Sequence, residues 1–395
     1  MKTVIKPLIL LFLAISISVN VFADRELPKF DSLSESSYIA LLTCDPGPEL
    51  YSVFGHSAIG VVDPEQGLML IYNYGTFSFN VPFFYAKFAS GKLLYQLSIT
   101  SYQRFLREYE YEKRRVIEEK LNLSLEHRQK LFNLLQENYQ PENRKYQYDF
   151  FFDNCATRII DIFYTALGDS LVYVPVENAP PKTFRNLIDE YLTKNYWSDF
   201  GIDIALGSII DNIATEREKA FLPDYLSIYI NNCVINGEPF VLSKRKLVPD
   251  SAGFSATPWW IRPQLIAWLL FGVVTLLSIF YRSKSWIIGD RIIFGVFGLL
   301  GVIVLLMWVA TDHDATAGNL NVLWANPLYL ILVWLIGSRH INVLKWSVSA
   351  VLLINVLVLL GWNVIPQMYH VVFIPLIGIL IIRSGVLAMR YWKEV

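Results

Sequence analysis

Residues 148–169 read YDFFFDNCATRIIDIFYTALGD. After Asp153-Asn154, apolar residues recur at Ile159, Ile162, Phe163, Ala166 and Leu167, the spacing of one helix face, and Gly168 is suited to close the helix. Asp153 or Asn154 is the natural N-cap, because a short side-chain oxygen there accepts a backbone N–H that the first turn leaves unpaired. Cys155 then falls in that first turn. The positive end of the helix dipole and the unpaired N–H groups favour a thiolate there, and Arg158, one turn on, adds positive charge. The competing reading is a buried structural cysteine, since free cysteines are among the most buried residues.

A thiol nucleophile needs a base, and the base needs a group that fixes its tautomer. Upstream, residues 51–76 read YSVFGHSAIGVVDPEQGLMLIYNYGT. Small and β-branched residues from His56 to Val62, a turn-forming Asp-Pro-Glu-Gln-Gly and a renewed apolar run from Leu68 predict a β-hairpin. If Asp63 pairs with Leu68, Ala58 faces Asn73, and His56 and Asn73 lie diagonally on one sheet face. A one-residue slip offers Tyr72 or Tyr74 instead. His56 is therefore the candidate base and Asn73 the candidate orienter. Among the other histidines, His127 sits on a charged helix face over about 126–139, and His340 and His370 lie in polar joints. His313, in the joint TDHDATAGNLN, is either part of a hydrated loop or a wall of the site near lipid headgroups. Three ligands from Asp312, His313 and Asp314 alone would rarely meet metal geometry, and no metal is assigned to them.

Charge is short for a chain of 395 residues: 17% charged against roughly 25% in soluble proteins, with 54% hydrophobic residues and a mean hydropathy of +0.37. The deficit lies after about Trp259. Five segments, 262–281, 286–310, 322–337, 346–362 and 368–389, approach the roughly 20 apolar residues that cross a bilayer, the third and fourth being short. Arg282, Lys284 and Arg291 fall in the first joint, Arg339 and Lys345 in the third, and Arg390 and Lys393 at the tail, so these joints are expected to be cytoplasmic. Lys2 and Lys6 before an apolar run and Val21-Phe22-Ala23 predict a signal peptide over 1–23, or else a retained anchor. The expected layout is an extracytoplasmic domain over 24–257 and a membrane domain over 258–395. With no mid-depth Asp, Glu or Lys noted in the spans, a transporter or pump is disfavoured. A formal net charge of -1 gives no basic surplus, which excludes nucleic acid as a partner. No zinc-type CxxC pair or glycine-rich phosphate loop occurs, and no cofactor is expected. Cys44 and Cys233, which lack helix-start or histidine context, are free to pair as a disulfide in an oxidising compartment.

A strand-borne GHSAIGV followed about a hundred residues later by a helix-opening DNCATR resembles the permuted papain-like (NlpC-type) fold, which includes the lecithin:retinol acyltransferase relatives. The longer strings CDPGPELYSVFGHSAIGV, YNYGTF and YDFFFDNCATR look like the periplasmic domain of the bacterial lipoprotein N-acyltransferase Lnb family, and the tail with TDHDATAGNLNVLWANPL looks like its five-helix membrane domain. The resemblance implies an α+β catalytic domain before an all-α transmembrane domain, in the inner membrane with the catalytic domain periplasmic. It implies transfer of a fatty acyl chain from a phospholipid, through a Cys155 thioester, to the α-amino group of a diacylated lipoprotein. That carry-over places the nucleophile on Cys155 and the base on His56; Asn73 completes the expected catalytic set on the hairpin-register argument, and Asn154, Arg158 and His313 are expected to face substrate. The aromatic stretch from Tyr72 to Phe88 either lines an acyl path or is ordinary core. The alternatives are a membrane-anchored cysteine hydrolase and a non-catalytic envelope binding protein. One anchor would suffice for the first, and the second has no need of both Cys155 and His56.

Overall fold

The structure, a computed structural model, describes residues 32–176, 180–249, 255–280 and 286–393. The expected signal peptide and the joint residues Arg282 and Lys284 lie outside these. The N-terminal strands are β1 (Tyr38–Cys44), β2 (His56–Asp63), β3 (Leu68–Thr76), β4 (Leu94–Ser101), β5 (Val116–Leu121) and β6 (Lys145–Gln147). A small sheet holds β7 (Leu171–Tyr173), β8 (Cys233–Ile235) and β9 (Glu238–Pro239), and β10 (Val241–Val248) returns to the main sheet. The helices between them are α1 (Phe84–Ala89), α2 (Tyr102–Glu112), α3 (Leu125–Tyr139), α4 (Cys155–Leu167), α5 (Phe184–Leu192), α6 (Tyr196–Ala205), α7 (Glu216–Lys219) and α8 (Pro223–Asn231).

The main sheet is antiparallel, in the order β10-β5-β1-β2-β3-β4-β6. β1 and β2 are buried at every position after their first, so both sheet faces are covered at the centre. On one face Leu42, Ala58, Val62 and Ile71 pack with Phe105 and Tyr109 of α2; α4 packs on β2 and β3. The hairpin has the expected register, Asp63 opposite Leu68 and Ile59 opposite Tyr72. The α+β class follows from the sequence as expected, and helix α4 begins and ends where its cap residues dictate.

The membrane domain corrects one expectation. Four helices are long and apolar enough to cross a bilayer among the described residues: α9 (Pro263–Phe280), α10 (Trp286–Ala310), α12 (Ile341–Leu360) and α13 (Phe373–Lys393). At 1.5 Å per residue they are roughly 27–38 Å long. The third expected span, 322–337, is a 3-10 turn (Leu320–Leu323) followed by the seven-residue α11 (Tyr329–Leu335). Asn326 and Pro327 break the helix, because the Asn326 amide oxygen accepts the Leu328 N–H and proline lacks an N–H. The irregular segment still runs antiparallel along α10. A Cβ on Gly301 would stand 2.2 Å from the Ala325 carbonyl oxygen and one on Gly298 3.0 Å from Leu330, while Arg291 donates to the Ile336 carbonyl (2.6 Å). Small residues on α10 thus let a non-helical backbone pack in contact.

Arg291 belongs to α10 and not to a joint, and a buried pair that the sequence reading overlooked lies beside it. Arg383 of α13 donates to both Asp290 carboxylate oxygens (2.7 and 3.0 Å) and to Ser278 Oγ (2.8 Å), tying α9, α10 and α13 together. Both partners are about 2% exposed. Removing one partner leaves an uncompensated buried charge, at a cost of about 3–5 kcal/mol. Asp290→Leu should therefore lower thermal stability sharply in detergent, and Asp290→Leu with Arg383→Met should recover most of it. Equal instability of single and double variants would mean that packing, not charge, holds this corner.

The joint after α10 is not a hydrated loop, since Thr316, Asn319 and Asn321 are buried. Asn319 Nδ2 donates to the carbonyls of Ile204 and Ala205, and Asn321 Nδ2 to that of Asp203, so membrane-domain amides cap the end of α6. The backbones meet at Gly207, where a Cβ would lie 1.9 Å from the Ala317 carbonyl oxygen. Gly207→Ala should push the two layers apart, at the upper end of the usual overpacking cost of about 1–3 kcal/mol. The readout is protease cleavage within 311–321. An unchanged cleavage pattern and melting temperature would show that the contact yields freely.

Candidate active site

Helix α4 opens at Asn154, with an extended backbone (φ −118°, ψ −169°). Asn154 Oδ1 accepts the Ala156 and Thr157 N–H groups (2.8 and 3.0 Å), while its Nδ2 donates to the Phe150 and Phe221 carbonyls (2.7 and 2.8 Å). Asn154 was expected to meet substrate; its side-chain amide fixes the helix start. Arg158 is clasped by Asp153 through Nε and Nη2 and lies over the Tyr146 ring at 4.1 Å. Its side chain is only partly buried.

Cys155 is 7% exposed. The backbone N–H groups of Ser57, next to His56 in β2, of Ala156 and of Cys155 itself favour its thiolate form. From β3, Gly75 comes so close that a Cβ there would be 3.5 Å from Cys155 Cβ and 3.2 Å from the Tyr148 ring. With φ at +82°, this position suits glycine on conformational grounds as well. Two residues earlier on β3, Asn73 Oδ1 lies 3.3 Å from His56 Nε2. An amide oxygen only accepts, so the ring hydrogen sits on Nε2 and the lone pair on Nδ1. The strand pair that the sequence register aligned and the helix start are thus joined through Ser57 and Gly75. Those two residues and Tyr148 escaped the sequence reading, because nothing local marks them.

The electrostatics differ from expectation. Burial pushes the Cys155 thiol up to about 11, outweighing the three N–H groups that favour the thiolate. Burial pushes His56 down to about 4, assisted by the nearby Arg114 charge and opposed by the Asn73 hydrogen bond. Both shifts favour the neutral forms, a thiol at Cys155 and an uncharged imidazole at His56, where the helix-start argument had favoured a thiolate.

The remaining candidates fall elsewhere. His313 Nε2 lies 3.0 Å from the Phe88 carbonyl oxygen, so it ties the membrane domain to α1. Cys44 and Cys233 do not pair: all three cysteines are free and buried, Cys44 inside the sheet opposite His56 and Cys233 with its thiol donating to the Tyr229 carbonyl. Asp199, Asp203 and His370 bring ligand-type atoms within 4.8 Å of one another, but they satisfy each other and their neighbours. Arg185 donates to Asp203 and to Asp211, His370 Nδ1 accepts the Val372 N–H and His370 Nε2 lies 3.3 Å from Asp199. This is a network fastening α6 to the joint before α13.

Residues 29–190 match the Lnb N-terminal periplasmic domain, and residues 255–394 match the Lnb transmembrane domain. The chain belongs to the Lnb family. Comparison with curated proteins and with solved structures gives no match. Membership makes this an inner-membrane protein whose N-terminal domain is periplasmic, with a lipoprotein N-acyltransferase-like function. The Lnb N-terminal match takes in β1 to β6 and α4, so His56, Asn73 and Cys155 all lie within it. The Lnb transmembrane match takes in α9 to α13 and the His313 joint.

Proposed function

We propose that this protein moves a fatty acyl chain from a phospholipid to the α-amino group of a diacylated lipoprotein's N-terminal cysteine. The observation that carries the reading is a capped helix start holding Cys155 against the strand of His56, whose ring is oriented by Asn73, in a periplasmic domain docked on a membrane domain. His56 Nδ1 takes the thiol proton as sulfur attacks the ester carbonyl. The N–H groups gathered at Cys155 are the donors for the oxyanion, the lysophospholipid leaves with the proton from His56, and Cys155 holds the acyl group as a thioester. The acceptor amine then attacks the thioester, His56 receives its proton, and the thiol is restored. Arg158, partly exposed beside the helix start, is assigned to the donor's phosphate.

The near-complete burial of Cys155 favours transfer over hydrolysis, because water must be kept from the thioester. The decisive experiment incubates the full-length protein with a diacylated lipoprotein in phospholipid vesicles and weighs the N-terminal peptide by mass spectrometry. One added amide-linked acyl chain is expected. Release of free fatty acid with no amide would replace this reading with a cysteine hydrolase.

A further inference from the structure

We infer that the aromatic segment from Phe77 to Phe88 dips into the outer surface of the bilayer and leads a phospholipid acyl chain along a file of rings to Cys155. Helix α1 buries none of its residues, and Phe79, Phe83 and Tyr85 are 64%, 82% and 82% exposed. Exposed apolar clusters of this kind mark interaction surfaces. Phe83 also holds a left-handed backbone, φ +56°, which costs a bulky residue of order 1–3 kcal/mol and is found where function maintains it.

The depth of this segment is set by its anchorage. Asp312 N–H donates to the Ser90 carbonyl (2.9 Å), His313 contacts the Phe88 carbonyl, and Gln147 Nε2 donates to both the Gly91 carbonyl and Asp312. Thr311, one residue before, caps Met307 of α10. Helix α1 therefore sits at the periplasmic end of a membrane-crossing helix, the level at which aromatic side chains concentrate in membrane proteins.

From the tip the rings run inward without a break. Phe84 stacks on Phe77 at 6.0 Å, Phe77 meets Tyr95 at 5.1 Å, and Tyr95 stacks on Tyr148 at 4.3 Å. Tyr148 then borders Gly75 together with Cys155. The file is a continuous run of aromatic rings, an apolar surface that suits a hydrocarbon chain. The destination of the chain rests on the acyl-transfer reading, whereas the lipid contact itself does not.

The test places the photo-crosslinker p-benzoylphenylalanine at position 83, 95 or 111 of full-length Cys155→Ala protein, in vesicles of phosphatidylethanolamine and phosphatidylglycerol. Tyr111 of α2 is 89% exposed and serves as control. Lipid adducts at 83 and 95 should exceed those at 111 at least tenfold. No excess at 83 overturns the inserted tip, and adducts at 83 without 95 overturn the file. In protein with Cys155 intact, Tyr95→Ala should slow thioester formation from a long-chain phospholipid at least tenfold, and from a short water-soluble ester less than twofold. Equal loss with both donors overturns the guiding role. If crosslinks form as expected but the unaltered protein makes no thioester, the acyl-transfer reading fails and the lipid-contacting segment stands.

Discussion

Cys155→Ala and Cys155→Ser should each abolish acyl transfer while leaving the protein folded and membrane-inserted. In the proposed mechanism Sγ carries the acyl group, and loss of a covalent nucleophile costs up to about 10⁶ in rate in well-studied enzymes. The side chain is small and buried at a helix start whose cap comes from Asn154 and Thr157, so neither change should disturb the fold. The measurement is the N-terminal peptide assay beside a thermal melt in detergent. Full activity in either variant, with an unchanged melt, would remove the thiol mechanism.

His56→Ala should lose roughly 10²–10⁴ in rate at neutral pH, the scale for a general base, and the pH dependence tells how the base works. His56 is lowered to about 4 and Cys155 raised to about 11. Between these values the imidazole is free to accept a proton and the thiol still carries one. Acylation of the enzyme should then be level from about pH 5 to 10 and fall as pH drops through 4, where Nδ1 becomes protonated. Alkylation of Cys155 by iodoacetamide should rise with pH far beyond the ordinary thiol value of about 8.5. Alkylation already maximal at pH 7 would reveal a standing thiolate–imidazolium pair and sink this account.

What could be read from the sequence was what is decided locally. Helix α4 follows from a cap residue, a periodic apolar face and a closing glycine, and the hairpin register follows from a short turn, which is why the His56–Asn73 contact was foreseeable. Ser57 and Gly75 matter only because α4 folds back onto β2 and β3, and no sequence period announces that. The same holds for Asn319 and Asn321, which look like loop residues until the carbonyls of α6 arrive. Asp290 and Arg383 are 93 residues apart, so neither reveals its partner. The third membrane segment misled for a different reason: hydropathy measures apolarity, and the break at Asn326-Pro327 determines shape instead.

The burial of the thiols has a consequence for survival in the periplasm. Disulfide exchange and oxidation to sulfenic acid both proceed through the thiolate and need access. Burial lifts Cys44 and Cys155 above the ordinary thiol range and Cys233 to about 12, and none of the three is exposed. On the proposed mechanism, a thiol enzyme facing an oxidising compartment would thus remain reduced without a dedicated reductant, its sulfur becoming reactive when His56 and a bound ester draw the proton away.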